Sequence, residues 1–295
     1  LLLSSAASDV YKRQLYKSLS PETLRKYLGW RPTDIIRKTL ESTTQLATSN
    51  IRYPLRRHFK SRNPFANVHR LSETISTDPI TANCLSIFHK YKGTFVFYGL
   101  KSRMINIYGF KHKSQFPQSY QDFIRYEGAP SILRRDNAKE EMSHEVTEIQ
   151  RKFAIKDQFS EAHNQQQNLV EGGAIKWLKQ ATHQLLDQAG APDSAWYFAM
   201  SHLASIHNVT YDPSLKMTPF QFRHGTTPDI SAYLQHSFWD PILYMDHEES
   251  FPTTKERSGR WIGVAPNVGD CLTYWILDDQ SKQVLARSVV RPASK

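Results

Sequence analysis

The stretch TFVFYGLKSRMINIYGF (94–110) decides the fold, because it contains two strand-like runs separated by a short polar break. TFVFYG (94–99) and MINIYGF (104–110) alternate and are rich in β-branched and aromatic residues, and Gly99 stands near the break. A third run, ISTDPI (75–80), precedes them. We therefore predict strands at roughly 75–80, 93–99 and 104–110, paired as an antiparallel meander.

The segments after the meander show alternating helical and strand-like patterns. The predicted elements are a helix at 116–128, a strand at 131–136, a helix at 138–153, a strand at 154–159, and helices at about 169–189, 194–208 and 217–225. The resulting order, β-β-β-α-β-α-β-α-α, is the ribonuclease H-like order. We predict an α/β (α+β) fold with a ribonuclease H-like mixed sheet and flanking helices.

The two ends of the chain have a different character from this core. Near the start, Ser20-Pro21-Glu22 is a helix-initiation signal, and Ile35, Ile36 and Leu40 follow at helical spacing. Near the end, three β-like runs are separated by turn-forming residues. These runs are RWIGVAP (260–266), CLTYWILD (271–278) and QVLARSVVR (283–291). We predict an N-terminal helical segment and a small C-terminal β module.

These patterns divide the chain into three structural regions and a leader. We predict a helical region with a basic arm at 15–70, a catalytic core at 71–232 and the β module at 233–295. Residues 1–14 contain SSAASDVYKRQ (4–14), which resembles the translation of a sequencing-library adaptor. We interpret 1–14 as an adaptor scar outside the fold.

Composition limits the class of protein. The 295 residues suffice for about two domains of ~100–200 residues each, and 39% of them are hydrophobic, which is ample for a packed core. The net charge of +10 favours a polyanionic partner. Two cysteines exclude a disulfide framework and favour a reducing compartment. No apolar run reaches the ~18 residues of a membrane span, so we predict no membrane association.

Positive charge is concentrated in two stretches. Residues 51–70 contain no acid and include Arg56, Arg57, Lys60 and Arg62, which we interpret as a basic arm that binds DNA phosphates. The alternative is a solvated linker. Residues 79–121 also contain no acid, and basic residues interleave with the predicted strands there. These basic residues are Lys90, Lys92, Lys101, Arg103, Lys111 and Lys113.

Three carboxylates have a spacing that suits phosphoryl transfer. Asp78 lies 58 residues before Asp136, and Glu171 lies 35 residues after it. Two divalent ions ~3.5–4 Å apart can activate the attacking oxygen and stabilise the leaving one, and Mg²⁺ prefers hard oxygen ligands. We predict that these three acids are the catalytic residues and hold two Mg²⁺ ions, for which Mn²⁺ can substitute. Asp78 and Asp136 can meet only if the first and fourth strands are neighbours.

Four segments together indicate a family. They are DNAKEE (136–141), HNQQQNLVEGGAIKWLK (163–179), WIGVAPNVGDCLTYWILD (261–278) and ARSVVRP (286–292). The first resembles a D-N-G-x-E-F run, the second a P-x-Q-N-x-x-E segment, and the others a C-terminal module, all found in the integrases of copia-type (LTR) retrotransposons. Those proteins are part of Pol polyproteins and belong to the retroviral integrase superfamily. The resemblance covers about residues 15–293.

The resemblance implies an enzyme that processes the 3′ ends of element DNA and then transfers them to target DNA. It implies double-stranded DNA as the partner, a homo-oligomer, and nuclear action after synthesis within a cytoplasmic polyprotein. It also implies that the polar loop with Gln165, Gln166 and Asn168 contacts the DNA end. At ~100° per residue, Lys179 lies roughly 80° from Glu171 on the long helix, which makes it a candidate phosphate ligand.

One departure from the family pattern concerns the helix that carries Glu171. Gly172 and Gly173 follow Glu171 directly, and each glycine costs ~1 kcal/mol relative to alanine in a helix interior, so we expect a frayed helix start. Two alternative functions stay open. One is a catalytically inactive DNA-binding remnant, which divalent-metal binding would distinguish. The other is a ribonuclease H-type nuclease, which a hybrid-cleavage assay would distinguish.

Overall fold

The computed structural model describes residues 20–50, 61–135, 143–159, 170–246, 252 and 255–293, without the side chains of Pro64 and of residues 170–172. The chain forms two compact units. We call Pro54–Asn208 the core unit, and Leu1–Tyr53 together with Val209–Lys295 the flanking unit.

The described residues contain seven α-helices and ten strands. The helices are α1 (Pro21–Leu24), α2 (Thr33–Ser42), α3 (Phe116–Tyr126), α4 (His144–Phe153), α5 (Lys176–Ala189), α6 (Trp196–Val209) and α7 (Pro219–His224). The strands are β1 (Arg70–Thr81), β2 (Gly93–Gly99), β3 (Ile105–Phe110), β4 (Ala129–Arg135), β5 (Lys156–Phe159), β6 (Pro241–Met245), β7 (Glu256–Val264), β8 (Tyr274–Asp278), β9 (Val284–Arg287) and β10 (Val290–Pro292).

The core unit contains a mixed five-stranded sheet in the order β3-β2-β1-β4-β5. β1, β2 and β3 pair antiparallel, whereas β4 pairs parallel with β1 and β5 parallel with β4. This arrangement confirms the predicted meander and the ribonuclease H-like mixed sheet with flanking helices. β1 is longer than predicted, because its residues from Arg70 onward also pair with β4.

One face of this sheet is covered by α3 and α4 through a buried apolar cluster. α3 places Phe116, Tyr120, Phe123 and Ile124 on a single face, at the spacing of an amphipathic helix. The cluster continues through α4 and into the strands. Its remaining members are Leu71, Ile75, Phe95, Phe97, Phe110, Ala129, Leu133, Val146, Ile149 and Ile155. Ile75 and Leu133 pair directly, so the central strands β1 and β4 present the same face to the helices.

β1 contains a bulge near its start. Leu71 pairs with Pro130 and Thr74 pairs with Ile132, so two residues of β1, Ser72 and Glu73, stand opposite the single residue Ser131. The Ser131 hydroxyl donates a hydrogen bond to the Glu73 carbonyl at 2.8 Å. Beyond the bulge the pairing is regular up to Ser76.

The N-terminal helical segment begins as predicted and belongs to the flanking unit. The Ser20 hydroxyl caps α1 by accepting from the Thr23 amide at 3.3 Å. After α2, the chain is held by the buried carboxylate of Asp229, which accepts from the amides of Leu46 at 2.6 Å and Ser231 at 2.9 Å. This contact ties the segment that follows α2 to the segment that precedes the second sheet.

The second sheet is antiparallel, in the order β10-β6-β7-β8-β9. β9 and β10 form its two edges, yet only two residues separate Arg287 from Val290. Three peptide units span at most about 11 Å, whereas a flat five-stranded sheet is about 19 Å wide. The sheet is therefore strongly curled, and the side chain of Trp261 is fully buried in its apolar cluster.

The C-terminal β module thus differs from its prediction in two details. β6 was not predicted, and the run 283–291 forms two strands on opposite edges instead of one continuous strand. Asp278 at the end of β8 is buried, and it accepts from the Tyr244 hydroxyl at 2.8 Å and the Ser281 amide at 2.6 Å. Across the described ranges, no helix is both long and apolar enough to cross a bilayer.

Candidate active site

Asp78 lies on β1, the central strand of the core sheet. It pairs with Val96 of β2 and is half-buried. Successive residues of a strand face opposite sides of a sheet, so Asp78, three positions after Ile75, points away from the apolar cluster under α3 and α4. A carboxylate on this face lies apart from the main core.

β4 lies next to β1 and runs parallel to it. Asp78 and Asp136 were expected to meet if the first and fourth strands are neighbours, and these strands are neighbours. Beyond the bulge, Thr74 pairs with Ile132, Ile75 with Leu133 and Ser76 with Arg134, which is a constant offset of 58 residues. β4 ends at Arg135. Asp136 itself lies outside the described residues.

Arg135, the last residue of β4, is a structural residue of the site that the sequence did not indicate. Its side chain is 2% exposed, and its guanidinium makes a bidentate ion pair with Asp157 on β5, including an Nε–Oδ1 bond of 2.9 Å. The same guanidinium lies 5.0 Å from the ring centroid of Phe159. These contacts fix the end of β4 against β5. The only sequence signal was a basic residue directly before an acid.

The segment with Glu171 forms a π-helical turn, Val170–Ile175, that leads directly into α5. This turn contacts β1 and β2. The prediction of a regular helix from about 169 is therefore wrong for its first turn. Gly172 and Gly173 explain the difference, because glycine is a poor α-helix former and π-turns insert where the regular ladder is weak. The Glu171 side chain lies outside the described atoms.

The predicted DNA-binding residues are only partly described. Arg62 is exposed before β1, and Lys179 is exposed on α5, as is Lys176 one turn earlier. The structure therefore leaves these three cations accessible to a ligand. The other candidates lie outside the described residues: Arg56, Arg57, Lys60, Gln165, Gln166 and Asn168.

The predicted metal ligands are three acids, of which one has a described side chain. Among the described residues, no group of three His, Cys, Asp or Glu side chains is arranged to hold a metal ion, and of the three predicted ligands only Asp78 has a described side chain. The predicted donor set consists of carboxylate oxygens, which are the hard ligands that Mg²⁺ prefers. Half-burial of Asp78 on the face away from the core is compatible with such a ligand role.

Comparison with known proteins gives matches among solved structures alone. No family model matches the chain, and no curated protein matches it. The HTLV-2 integrase catalytic core domain in complex with magnesium matches 52% of this chain and 97% of that chain at 21% identity, with a TM-score of 0.41. The BIV integrase catalytic core domain matches 52% of this chain and 93% of that chain at 16% identity, with a TM-score of 0.42.

A longer match is a chain of the simian T-cell lymphotropic virus intasome in complex with PP2A regulatory subunit B56 gamma. It covers 77% of this chain and 83% of that chain, at 15% identity and a TM-score of 0.43. Two of these neighbours are integrase catalytic core domains, and the third is a chain of an intasome. At such identities and TM-scores the likeness does not extend to activity, and the fold class rests on the strand order and strand directions of this chain.

Proposed function

We propose that this protein is a metal-dependent polynucleotidyl transferase of the integrase type, which processes the 3′ ends of element DNA and transfers them to target DNA. The observation that carries the proposal is the pairing of β1 with β4. Its offset of 58 residues equals the separation of Asp78 and Asp136 in the sequence. The same register, continued by two residues, would bring these carboxylates side by side on one face of the sheet.

The third acid is supported by the position of its backbone. The π-helical turn with Glu171 packs on β1 and β2, the strands that hold Asp78 and its partner Val96. In this proposal Asp78, Asp136 and Glu171 would hold two Mg²⁺ ions. When bound, such ions stabilise the charge that develops on the attacking and leaving oxygens. The accessible Lys176 and Lys179 on α5 would neutralise backbone phosphates of the bound DNA.

The reaction needs no other cofactor. In strand transfer, a 3′-hydroxyl of the element DNA loses its proton and its oxygen forms a bond to a target phosphorus. The bond from that phosphorus to its own 3′-oxygen breaks, and the released oxygen takes up a proton. In end processing, water replaces the DNA hydroxyl. The nucleophiles are water and DNA, so no covalent protein–DNA intermediate forms. In the copia-type setting implied by the sequence, the enzyme would act as a homo-oligomer in the nucleus after release from a polyprotein.

A strand-transfer assay on the full chain tests this proposal. A labelled blunt duplex that matches the terminus of the element would be incubated with Mg²⁺, and the Asp136→Asn variant would be compared with Asp187→Asn, which removes an exposed acid on α5. We expect labelled products longer than the input from the wild type and from Asp187→Asn, and none from Asp136→Asn.

Two other outcomes would decide for a different function. Salt-sensitive DNA binding without Mg²⁺-dependent products or metal binding would contradict the proposal and identify a DNA-binding remnant. Cleavage of an RNA–DNA hybrid, lost in Asp136→Asn and without strand transfer, would identify a ribonuclease H-type nuclease.

A further inference from the structure

A positively charged cleft lies at one end of the core sheet, beyond the end of β1. Its volume is about 530 Å³. It is lined by Thr81, Lys92, Phe110, Lys111, His112, Lys113 and Ser114. All of these residues belong to the core unit, and none of them is among the predicted catalytic or DNA-binding residues.

The strand register brings the two walls of the cleft together. Thr81 at the end of β1 pairs with Gly93 at the start of β2, and Gly93 pairs with Phe110 at the end of β3. The Lys92 amide donates to the Phe110 carbonyl at 2.8 Å. Lysines that are far apart in sequence, at positions 92 and 111, therefore lie next to the same strand ends.

The backbone on one side of the cleft is tightly packed. A Cβ atom at Gly93 would lie 2.3 Å from the Ile80 carbonyl oxygen, and one at Gly109 would lie 2.2 Å from the Tyr91 ring. Tyr91 in turn stacks on His89, with ring centroids 4.9 Å apart. This close packing holds the chain that leads into Lys92 in a fixed position, so the lysine is presented from a rigid support.

The other wall is fixed by a helix cap. The side chain of Gln115 accepts from the amides of Lys111 at 2.7 Å and His112 at 3.1 Å, and the His112 side chain accepts from the Gln115 amide in return. This capping box holds the turn that precedes α3, with the side chains of Lys111 and Lys113 in solvent. Both walls are therefore preorganised for a ligand.

The cleft is electropositive. Lys92, Lys111 and Lys113 are exposed, and none of the three has an ion-pair partner within the part of the chain that the structure describes. Burial and then the charge of Lys111 lower the pKa of His89. Asp122 on α3 also acts near the cleft, since burial and then Asp122 raise the pKa of Tyr91. The residues that line the cleft include three lysines and no acid.

We propose that the cleft binds backbone phosphates of duplex DNA. Lysine ammonium groups act as point charges for phosphate, and their neutralisation of DNA releases counterions. The occupant is a phosphodiester backbone and not a protein, because lysines and polar residues line the cleft and apolar anchors of the kind that protein interfaces use are limited to Phe110.

The placement of the cleft connects it to the candidate active site. Thr81 lies three residues beyond Asp78 on β1, which is about 10 Å along the strand. Since 78 and 81 differ by an odd number, Thr81 faces the other side of the sheet, the side that carries Phe110 and α3. DNA whose reacting phosphate lies at Asp78 would therefore reach the cleft by passing around this end of the sheet. This connection rests on the proposed function, whereas phosphate binding by the cleft does not.

DNA binding by the full chain, measured by fluorescence anisotropy in EDTA, tests the cleft separately from catalysis. The triple variant Lys92→Gln, Lys111→Gln, Lys113→Gln would be compared with a charge-matched control, Arg125→Gln, Lys152→Gln, Lys156→Gln. The control residues are exposed, and two of them lie on α4 and on the far edge strand β5. KCl would vary between about 50 and 200 mM. Circular dichroism would establish that both variants are folded.

We expect the cleft variant to bind a labelled duplex about 10- to 100-fold more weakly, with the slope of log affinity against log salt reduced by about 2–3. The control should change far less. Equal affinities of the cleft variant and the control, whether both remain high or both fall, would overturn the proposal. The binding is measured without metal and so does not depend on catalysis. A chain that binds through the cleft in EDTA yet gives no strand transfer in the Mg²⁺ assay would refute the proposed function and leave the cleft proposal standing.

Discussion

β1 carries two carboxylates, Glu73 in its first half and Asp78 in its second half, and the two differ in their burial. Glu73 is 6% exposed, and it accepts from the amides of Lys101 and Ser102 and from the Ser102 hydroxyl at 2.9–3.2 Å. Asp78 is half-buried on the face away from the apolar cluster, next to the strand that leads to Asp136. Glu73 serves a turn of the protein itself, whereas Asp78 lies on the strand β1, which the π-helical turn Val170–Ile175 contacts.

The flanking unit repeats the first of these patterns. Asp229 and Asp278 are both buried, and each is held by backbone amides. Glu73, Asp229 and Asp278 thus share one feature: each is buried and accepts hydrogen bonds from backbone amides of the protein. The following variants test whether Asp78, unlike Glu73, contributes to activity more than to stability.

The largest effect is expected for Asp78→Asn. Loss of a ligand carboxylate should lower the rate of strand transfer at least about 100-fold, while the free energy of unfolding changes by less than about 1 kcal/mol. Strand-transfer kinetics and urea denaturation measure the two quantities on the same preparation. A variant that loses stability as much as activity would place Asp78 in the same structural class as Glu73.

Glu73→Leu should show the opposite behaviour. It leaves two amides and a hydroxyl without their acceptor, so we expect a loss of about 2–3 kcal/mol in the free energy of unfolding. Glu73→Gln, which keeps one acceptor oxygen, is the matched control and should lose less. Urea denaturation curves give both values. If the leucine variant were as stable as the wild type, the structural role of Glu73 would be wrong.

A smaller, pH-dependent effect is expected for Asp278. Burial alone would raise the pKa of Asp278, but hydrogen bonds from Ser281, Tyr244 and Gln280 outweigh it and lower the pKa below its ordinary value. A lowered pKa means that the stabilisation is present above the ordinary pKa and is lost as the pH falls through the lowered value. At pH 7, Asp278→Asn should be about 1 kcal/mol less stable than the wild type. This difference in stability should shrink as the pH is lowered. Urea denaturation of both proteins from neutral to acidic pH measures it, and a difference that stays constant with pH would contradict the lowered pKa of Asp278.

The smallest effect is expected for Gly173→Ala in the π-helical turn. A Cβ atom there meets nothing within 4 Å, so alanine should stabilise the protein by about 0.4–1 kcal/mol through the unfolded state. Gly93→Ala is the contrasting control, since its Cβ atom would lie 2.3 Å from the Ile80 carbonyl oxygen and should destabilise the protein. Thermal unfolding measures both, and a destabilised Gly173→Ala would indicate that the turn requires glycine.

Local patterns predicted most of the core sheet. β2 and β3 were predicted to within a residue, because their alternation and the short break between them are encoded within 94–110. The bulge in β1 and the long pairing of β1 with β4 were not predicted, since they depend on a partner strand that is remote in sequence. β6 escaped prediction because it is only five residues long and begins with a proline.

The sequence spacing of the candidate acids was predictable, but the ion pair and the π-helical turn near them were not. The separation of Asp78 and Asp136 is visible in the sequence, and the adjacency of β1 and β4 was its stated condition. The ion pair of Arg135 with Asp157 was invisible, because only the folded sheet brings β4 and β5 together. The start of the helix with Glu171 was expected to fray at Gly172 and Gly173, and it forms a π-helical turn instead.

The bulge at Ser72 and Glu73 sets the register between β1 and β4. Before it, Arg70 and Leu71 pair with residues 59 positions later, and after it the offset is 58. At an offset of 59, the position counted opposite Asp78 would be 137, an asparagine, and not the acid at 136. Deletion of Ser72 would leave one residue of β1 opposite Ser131 and would keep Thr74 opposite Ile132, so position 136 would still be counted opposite Asp78. Loss of the bulge with both residues retained would instead bring the asparagine at 137 to that position, so the acid pair of the proposed site depends on the two-residue bulge.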